Sequence, residues 1–374
     1  MIPKYAILAL ALIFADEASA KWSPPTSIMN FTTWPKVYGI YSDSTSSHLI
    51  LRHSDPNDSA LYYLRIRNDK LDLNLSFPSV PSIRDAAISG DDLSHRVFVA
   101  YEEYDDTISF VESLDAGITW STPVKLSTQP STLGAMQFIK ESGRVFLLYH
   151  RPATGEAIFV SRPKDSAVFS PEHVVWRVNE STRISACYTS VSSGNKQTIH
   201  AVAVEFNGSA WTLAERYTSS NGVVWSQPRV ITAGMDRHYQ PFVFSDSRVT
   251  DSFFVFYLGY YSQRQELVYS ADEGATYSKN HTFNQKGIFN LQARICGDRS
   301  RKTLVVAGLG YFHLTGWERG NLTAVVAPRP FDYNSWIDCR DGIPRTEVTM
   351  FGRFPDTYSD YGFSRFDENS AQTE

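Results

Sequence analysis

Short apolar stretches recur along the chain and are separated by polar segments rich in Gly, Ser, Asp and Asn. Many of these stretches carry β-branched or aromatic residues, which is typical of β-strands. They fall into six units, each with an opening strand followed by a more continuously apolar one. The opening strands lie near Val37, Ile83, Met136, Ile184, Phe242 and Ala293, and the apolar strands at 49–51, 96–101, 144–149, 199–204, 253–257 and 304–307.

A turn motif follows an alternating strand in several units. Residues 113–120 read SLDAGITW, residues 270–277 repeat the pattern as SADEGATY, and residues 218–225 keep the spacing with Ser220 in place of the aspartate. Asp and Ser side chains bond the backbone of tight turns, and Gly adopts positive φ without steric cost. The motif therefore predicts structural hairpin turns built on Ser113, Asp115, Gly117, Trp120, Gly222, Trp225, Asp272, Gly274 and Tyr277.

The aromatic residue that ends the motif locates weaker copies of the unit. Trp120 and Trp225 both begin a W-S-x-P sequence, and Leu75 and Phe169 begin similar sequences in units whose turns have diverged. A repeat of about 50 residues with several short strands has the length of a β-propeller blade.

We therefore predict an all-β chain that forms a six-bladed β-propeller with four-stranded antiparallel blades, in a single domain over 21–374. The blades are expected near 36–80, 81–130, 131–180, 181–235, 236–286 and 287–340, followed by a closing tail at 341–366. Either the last blade combines strands from both termini, or the ring has six blades and a separate tail. Pairing of the tail with the first unit would remove exposed edge strands.

The first twenty residues have the features of a secretory signal peptide. Lys4 precedes an apolar segment at 6–14, and Ala18-Ser19-Ala20 resembles a cleavage site. The apolar segment is too short to cross a bilayer, and we expect no membrane span elsewhere. Seven asparagines stand in N-x-S/T sequences, so we expect a secreted, extracellular glycoprotein. These residues are Asn30, Asn57, Asn74, Asn179, Asn207, Asn280 and Asn321.

Cysteine and charge content narrow the function further. The three cysteines do not form a disulfide framework, although Cys296 and Cys339 flank the last unit and are candidates for one bridge. Cys187 lies in an opening strand and is expected to be a buried thiol. The formal net charge is -5 with no basic cluster, which disfavours nucleic acid as a partner. No metal-ligand motif is present, and we expect no metal and no cofactor.

Three stretches carry a resemblance to a known family. Ile83-Arg84-Asp85-Ala86 is followed by the strand 97–102, which ends in Glu102, and then by the turn motif at 113–120. Together they resemble the opening blade of sialidases, in which an arginine of an R-I-P sequence precedes such a strand and a turn called the Asp box. The stretch 142–149 resembles the next sialidase blade. The resemblance spans about 81–360 and identifies a sialidase-like propeller with Asp-box (BNR) repeats, a class in which fold does not fix activity.

The resemblance implies a set of catalytic positions. Sialidases hold the substrate carboxylate with arginines, whose planar guanidinium matches a carboxylate. They use a tyrosine nucleophile and an aspartate as acid and base. Arg84 matches the first arginine, although Asp85-Ala86 replaces I-P, and the tyrosine's partner glutamate has no match. The other implied positions are Asp105 or Asp106, Arg264, Arg294 and Tyr358.

Three classes of function remain open from the sequence, and one of them is a structural or recognition scaffold with no small ligand and a featureless mouth. A degraded exo-sialidase, a glycoside hydrolase, would bring Arg84, Arg264 and Arg294 together above Tyr358. A non-catalytic propeller would bind a glycan, a glycoprotein or another protein partner at its central mouth. Such a mouth would be lined by aromatic residues, for which Trp34, Tyr239, Tyr311 and Trp317 are the candidates.

Overall fold

The computed structural model describes only part of the chain. The described residues are 26–29, 36–52, 60–68, 70–77, 83–139, 142–177, 185–190, 197–206, 211–235, 238–245, 253–259, 264–270, 272, 274–283, 292–297, 302–308, 311–318, 321–329, 336–341, 346–353 and 361–367. Within these ranges the chain forms antiparallel β-strands and turns and contains no helix.

Six four-stranded sheets follow one another along the chain after a first strand that belongs to none of them, β1 (Thr26–Met29). Blade 1 contains β2 (Lys36–Ser42), β3 (Ser47–Arg52), β4 (Leu61–Arg67) and β5 (Lys70–Ser76). Blade 2 contains β6 (Ile83–Asp91), β7 (Arg96–Glu103), β8 (Ile108–Ser113) and β9 (Val124–Lys125). Blade 3 contains β10 (Thr132–Ile139), β11 (Arg144–Arg151), β12 (Glu156–Pro163) and β13 (His173–Arg177).

The next three sheets repeat this arrangement. Blade 4 contains β14 (Ser185–Ser190), β15 (Gln197–Phe206), β16 (Trp211–Thr218) and β17 (Arg229–Met235). Blade 5 contains β18 (His238–Ser245), β19 (Phe253–Gly259), β20 (Arg264–Ser270) and β21 (Ser278–Phe283). Blade 6 contains β22 (Gln292–Gly297), β23 (Lys302–Gly308), β24 (Tyr311–Glu318) and β25 (Asn321–Arg329).

A seventh sheet joins the two ends of the described chain. Blade 7 contains β26 (Trp336–Asp341), β27 (Thr346–Arg353) and β28 (Tyr361–Asp367), and β1 adds to β28 as the fourth strand. The register pairs Thr26 with Phe363 and Ser27 with Gly362. The last blade is thus built from both ends of the sequence.

The first strands of the sheets form a closed cycle. Each contacts the first strand of the next sheet, in the order β2, β6, β10, β14, β18, β22, β26 and back to β2. Four-stranded antiparallel sheets that surround a central axis through their first strands define a β-propeller. Because the ring is closed, every first strand packs between the first strands of two neighbouring blades.

The described ranges hold seven four-stranded sheets, one more than the six predicted blades. The first six sheets fall within the six predicted units. The tail at 341–366 was expected to close the ring with the first unit, but its strands β27 and β28 pair with β26 and β1 instead. The seventh blade was missed because it has no turn motif and its fourth strand precedes the first unit in sequence.

The hydrophobic core lies between the blades. One cluster joins blades 1 and 2 and includes Ile50, Tyr63 and Val99, each fully buried, with Trp120 packed at its edge. Similar clusters join blades 2 and 3, blades 3 and 4, and blades 4 and 5. Second strands such as β7 are buried on both faces, whereas β5 alternates between exposed and half-buried residues as an outer strand should.

The turn motif joins the third and fourth strands. In blade 2 the Ser113 hydroxyl accepts a hydrogen bond from the Gly117 amide at 2.7 Å and donates one to Asp115 Oδ1 at 2.8 Å. Asp115 accepts bonds from the amide and hydroxyl of Thr119 at 2.8 and 2.6 Å. Blade 5 repeats these four distances to within 0.1 Å around Asp272. The two aspartates therefore bond the turn itself.

Each motif also packs against the preceding blade. Gly117 has a φ of 87°, and a Cβ at this position would overlap the buried Tyr63 side chain of blade 1. The glycine is thus required both by the backbone conformation and by the lack of space. The three glycines and their neighbours are Gly117 with Tyr63, Gly222 with Phe159, and Gly274 with Glu215. The motif acts as a clamp between neighbouring blades.

The aromatic anchors reinforce this clamp. Trp120 packs edge-on against Tyr63, with ring centres 5.0 Å apart, and its indole nitrogen donates to the Gly117 carbonyl at 3.1 Å. Trp225 meets Phe159 at 5.4 Å, and Phe169, the anchor of a diverged unit, meets Phe110 at 5.2 Å. Edge-to-face pairs of this kind stabilise by about 0.5–1.5 kcal/mol beyond their burial.

Candidate functional site

The ring has two rims that differ in their side chains. Because the strands are antiparallel, each first strand begins where the second strand ends, as the pairing of Ile83 with Glu103 shows. We call this edge the mouth rim; it also carries the loops between second and third strands. The opposite edge, the turn rim, carries the turns between third and fourth strands, including the turn motif. The first strands of blades 1 and 2 begin at the same rim, since Lys36 Nζ donates to the Arg84 carbonyl at 2.9 Å.

Arg84 lies at the mouth rim, at the start of β6. A register shift between Ile83 and Asp85 places it in a bulge, and its side chain is 44% exposed. The guanidinium forms an ion pair with Asp106, donates to the Tyr104 carbonyl at 3.2 Å, and lies 5.5 Å from the centre of the Tyr104 ring. Arg84 is therefore bonded to the β7–β8 loop of its own blade.

A second cation reaches the same loop from blade 1. Arg52, at the end of β3, donates through Nη1 to the Ile83 carbonyl at 2.8 Å and to the Tyr104 hydroxyl at 3.2 Å. Tyr104 itself is 51% exposed, and the Arg52 bond lowers the pKa of its phenol. An exposed aromatic ring flanked by two guanidinium groups is thus fixed at the mouth rim.

Two acids end the buried strand β7. Glu102 is buried and accepts a hydrogen bond from the Leu133 amide of blade 3 at 2.9 Å. Burial raises the pKa of its carboxyl, and the Leu133 bond offsets part of this effect. Glu103 is also buried and accepts a bond from the Ser109 hydroxyl at 2.5 Å. Glu102 is the carboxyl that links the mouth-rim ends of blades 2 and 3.

Tyr38 places a phenol in the same region. Its side chain is 4% exposed, and its hydroxyl has no hydrogen-bond partner among the described residues. Burial raises its pKa to about 12, and the charges of Arg52, Asp85 and Glu102 act on it as well. The hydroxyl is therefore a neutral donor close to charged groups. We call Tyr38, Arg52, Arg84, Glu102, Tyr104 and Asp106 the mouth cluster.

The mouth cluster contains two of the site residues predicted from the sequence, Arg84 and Asp106. Asp105 lies outside it, because its carboxylate accepts bonds from the amide and hydroxyl of Thr107 at 3.1 and 2.6 Å and faces Lys125 at 3.4 Å. The loop therefore points its two adjacent aspartates in different directions.

The remaining predicted catalytic positions are described only in part. Arg264 begins β20 in blade 5 and pairs with Gly259, and Arg294 lies in β22 in blade 6 and pairs with Val305. Their side chains are not described. Tyr358 lies outside the described residues. The proposed convergence of the three arginines above Tyr358 thus stays a prediction.

Other predicted positions are distributed as follows. Asn74 lies on the outer strand β5 with its side chain exposed, and Asn280 and Asn321 lie in the outer strands β21 and β25. Cys296 and Cys339 lie in β22 and β26, first strands of neighbouring blades that contact each other. Tyr239, Tyr311, Trp317 and Cys187 lie in strands whose side chains at these positions are not described. The predicted signal peptide at 1–20 lies outside the described residues, as do Trp34, Asn30, Asn57, Asn179 and Asn207.

Sequence reasoning missed four members of the mouth cluster. In the sequence, Glu102 marks the end of an apolar strand. An acid directly after a fully apolar run indicates a buried carboxyl at a sheet edge. Tyr104 follows two acids at the tip of the same hairpin. Tyr38 and Arg52 have no signal in the sequence, because they come from blade 1 and reach the site only through the packing of blade 1 against blade 2.

The turn rim contains a cleft of about 860 Å³ between blades 1 and 2. Arg65, Arg67, His95, Leu114 and Ile118 are among its lining residues. Arg65 forms an ion pair with Asp72, with two nitrogen–oxygen distances of 2.7 Å, and donates a hydrogen bond to the Ala116 carbonyl. The cleft lies on the opposite rim from Arg84 and Asp106. It is therefore not located at the site residues that were predicted from the sequence.

The described ranges hold neither a metal-binding cluster nor a membrane-spanning helix. No group of three or more His, Cys, Asp or Glu side chains in these ranges is arranged to hold a metal ion. No helix among the described residues is long and apolar enough to cross a membrane.

Comparisons with known proteins show similarity at the level of the fold. No protein-family model matches the chain, and no curated protein matches it. Among solved structures, the β-propeller domain of the Trilobed protease from Pyrococcus furiosus is similar with a TM-score of 0.53 and 9% identity, covering 90% of this chain and 97% of that one. The SapL1 lectin in complex with α-methyl fucoside has a TM-score of 0.51 and 10% identity, covering 80% and 98%.

A mutant of the NanB sialidase from Streptococcus pneumoniae is also found, with a TM-score of 0.48, 10% identity, and coverage of 92% of this chain and 70% of that one. At these identities the likenesses show the fold alone. The chain is a β-propeller whose solved neighbours include lectins and sialidases.

Proposed function

We propose that this protein is a propeller of the sialidase-like superfamily that recognises glycans at its mouth rim. The observation that carries the proposal is the mouth cluster, in which the exposed Tyr104 ring is fixed beside Arg84, Asp106 and Glu102. Sugars bind by stacking on aromatic rings and by hydrogen bonds to charged side chains. The similar SapL1 lectin was solved with a fucoside, which supports glycan binding by this fold.

Binding by the purified chain to a glycan array tests the proposal. We expect saturable binding that Tyr104→Ala reduces by about tenfold or more, since truncation of an aromatic hot-spot residue costs about 2 kcal/mol or more. The matched control is Leu93→Ala, which removes an exposed apolar side chain from the turn rim. Equal binding by the two variants would contradict a site at the mouth rim.

Hydrolysis of terminal sialic acid is the second candidate function. Its support is the match of Arg84 to the sialidase arginine and its position at the start of a first strand on the mouth rim. Release of sialic acid from a fluorogenic sialoside, abolished by Arg84→Ala and by Tyr358→Phe, would establish it. Glycan binding without turnover would leave recognition alone.

The proposal includes secretion and processing. Residues 1–20 would direct export, and the N-x-S/T asparagines, of which Asn74 is exposed, would carry glycans. Cys296 and Cys339 would form a disulfide between blades 6 and 7, whose first strands contact each other. Mass spectrometry of protein secreted from eukaryotic cells, before and after deglycosylation and reduction, tests all three features.

A further inference from the structure

The cations of the mouth cluster already have partners within the protein. Arg84 is paired with Asp106 and the Tyr104 carbonyl, and Arg52 donates to the Ile83 carbonyl and the Tyr104 hydroxyl. A ligand carboxylate is bound best by a guanidinium that offers two parallel N–H groups. Arg84 uses both of its terminal nitrogens in these contacts, so it cannot present that terminal pair to a ligand without breaking them.

The neighbouring groups are mostly acceptors of hydrogen bonds. Glu102 at the end of β7, Asp106 in the following loop and Asp85 in β6 lie close enough for the charges of both aspartates to act on Glu102. A second carboxylate brought to this edge would be repelled by these charges. Sugar hydroxyls, by contrast, donate to carboxylates and carry no charge.

The Tyr38 hydroxyl supplies an independent pointer to a ligand. It is a buried donor with no partner in the described part of the chain, and a buried polar group left unsatisfied destabilises the protein. Tyr38 lies near Arg52, Asp85 and Glu102, whose charges affect the pKa of its hydroxyl. A ligand hydroxyl that reaches between blades 1 and 2 would complete its hydrogen bonding.

We propose that the mouth cluster selects neutral, hydroxyl-rich sugars and discriminates against sugars that carry a carboxylate, because Asp106 neutralises Arg84. The inference rests on the proposed function, glycan recognition at the mouth rim. It assigns Tyr104 to stacking, Glu102 and Tyr38 to hydroxyl recognition, and Asp106 to exclusion of anionic sugars. Asp106 is thus a specificity-determining residue.

Matched glycan pairs test the selectivity. Each pair consists of a neutral glycan and the same glycan with one terminal sialic acid, and both are titrated against the wild-type chain. We expect the neutral member to bind at least about tenfold more tightly, since like-charge contacts across an interface are strongly unfavourable. Tyr38→Phe should weaken neutral binding several-fold while leaving thermal stability unchanged or raised, because it removes an unsatisfied hydroxyl.

Asp106→Asn tests the mechanism. The residue has a φ of 62°, which asparagine adopts readily, so the loop is preserved while Arg84 is released. We expect the affinity for the sialylated member to rise about tenfold or more through a charge-assisted bond to Arg84. The control Asp105→Asn removes the same charge from the same loop but leaves the Arg84 pair intact. The double variant Asp106→Asn/Arg84→Ala should lose the gain.

Each outcome decides between the two proposals. If the folded wild-type protein binds the sialylated member as tightly as the neutral one, the selectivity is wrong and glycan recognition stands. If Asp105→Asn gives the same gain as Asp106→Asn, or if Asp106→Asn gives none, the role of Asp106 is wrong. If neither member of any pair binds the folded protein, the proposed function itself fails, and the selectivity fails with it.

Discussion

The two rims of this propeller use the same kinds of side chain for different purposes. At the turn rim, Asp115 accepts three hydrogen bonds from its own turn, and Gly117 lies directly against the buried Tyr63 of the preceding blade. At the mouth rim, Arg84 and Asp106 form an exposed pair on a hairpin tip. Internal bonding and close packing indicate a structural role, whereas exposed charges around a fixed aromatic ring indicate a binding role.

The largest expected effect comes from the clamp between blades. Gly117→Ala introduces a Cβ at positive φ into space occupied by Tyr63, and should lower the free energy of unfolding by about 3 kcal/mol or more, since strain and overlap combine. Gly143→Ala is the control, because Gly143 has a φ of 60° but a Cβ added there would meet no atom within 4 Å. It should cost only about 1 kcal/mol. Equal losses in denaturant unfolding would show that Tyr63 does not restrict the turn.

The next effect concerns a buried network of the turn rim. Asp43 accepts bonds from the Thr45 and Ser46 amides at 2.7 Å and from His48 Nε2 at 2.9 Å. Burial alone would raise the pKa of the Asp43 carboxyl, but the bonds from His48 and Thr45 outweigh it and hold the pKa far below its ordinary value. The depressed pKa stabilises the fold fully above the pKa of the unfolded carboxyl, about 3.9. This contribution declines below that pH and is lost as the pH falls through the lower pKa of the folded carboxyl.

Stability measured from pH 7 to pH 3 checks this dependence. Asp43→Asn should cost about 2 kcal/mol near neutral pH and progressively less below about pH 4, because the carboxyl of the unfolded wild type takes up a proton there while the folded carboxyl stays ionised. Asp165→Asn is the control, because the Asp165 side chain is 72% exposed and pairs only with Arg96 at the surface among the described residues. A constant difference between wild type and Asp43→Asn across this range would exclude the ionised carboxyl as its source.

A smaller effect on stability is expected from replacing the aspartate of the turn motif by serine, the residue found in blade 4. In blade 4, Ser220 replaces the aspartate and still accepts the Val224 amide at 2.8 Å. We therefore expect Asp115→Ser to cost about half of the roughly 1–2 kcal/mol lost in Asp115→Ala, since one backbone bond is kept. Thermal unfolding of the two variants measures the difference. Equal losses would mean that the backbone bond contributes little.

The smallest expected effect on stability belongs to the mouth rim. Arg84→Ala breaks an ion pair whose side chains are 44% and 36% exposed, and such pairs contribute about 0–1 kcal/mol. We expect a change in the unfolding free energy within about 0.5 kcal/mol. A loss comparable to that of Gly117→Ala would move Arg84 from the binding role to a structural one.

Local patterns in the sequence predicted the elements that depend on neighbouring residues. The strands follow from apolar runs, and the aromatic anchors identify units even where the turn has diverged, as Phe169 does in blade 3. The serine after the anchor has a physical role in this pattern: Ser121, Ser170 and Ser226 each accept a bond from a third-strand amide at 3.0–3.1 Å.

Features that depend on ring closure, on packing between blades or on irregular backbone could not be predicted in the same way. The seventh blade combines β1 with β26 to β28, and no local pattern connects these segments. The pairing of Arg84 with Asp106 depends on the bulge after Ile83 and on the positive φ of Asp106. Tyr38 and Arg52 enter the mouth cluster from blade 1 only because the first strands of blades 1 and 2 are neighbours.

Hydrogen–deuterium exchange of the wild-type chain with and without a bound neutral glycan tests the division between the rims most directly. The account predicts that the glycan slows exchange at 102–107, the end of β7 and the loop that carries Tyr104 and Asp106. Exchange at the turn motif, 113–120, should stay unchanged. Protection of 113–120 with no change at 102–107 would contradict the account and assign binding to the turn rim.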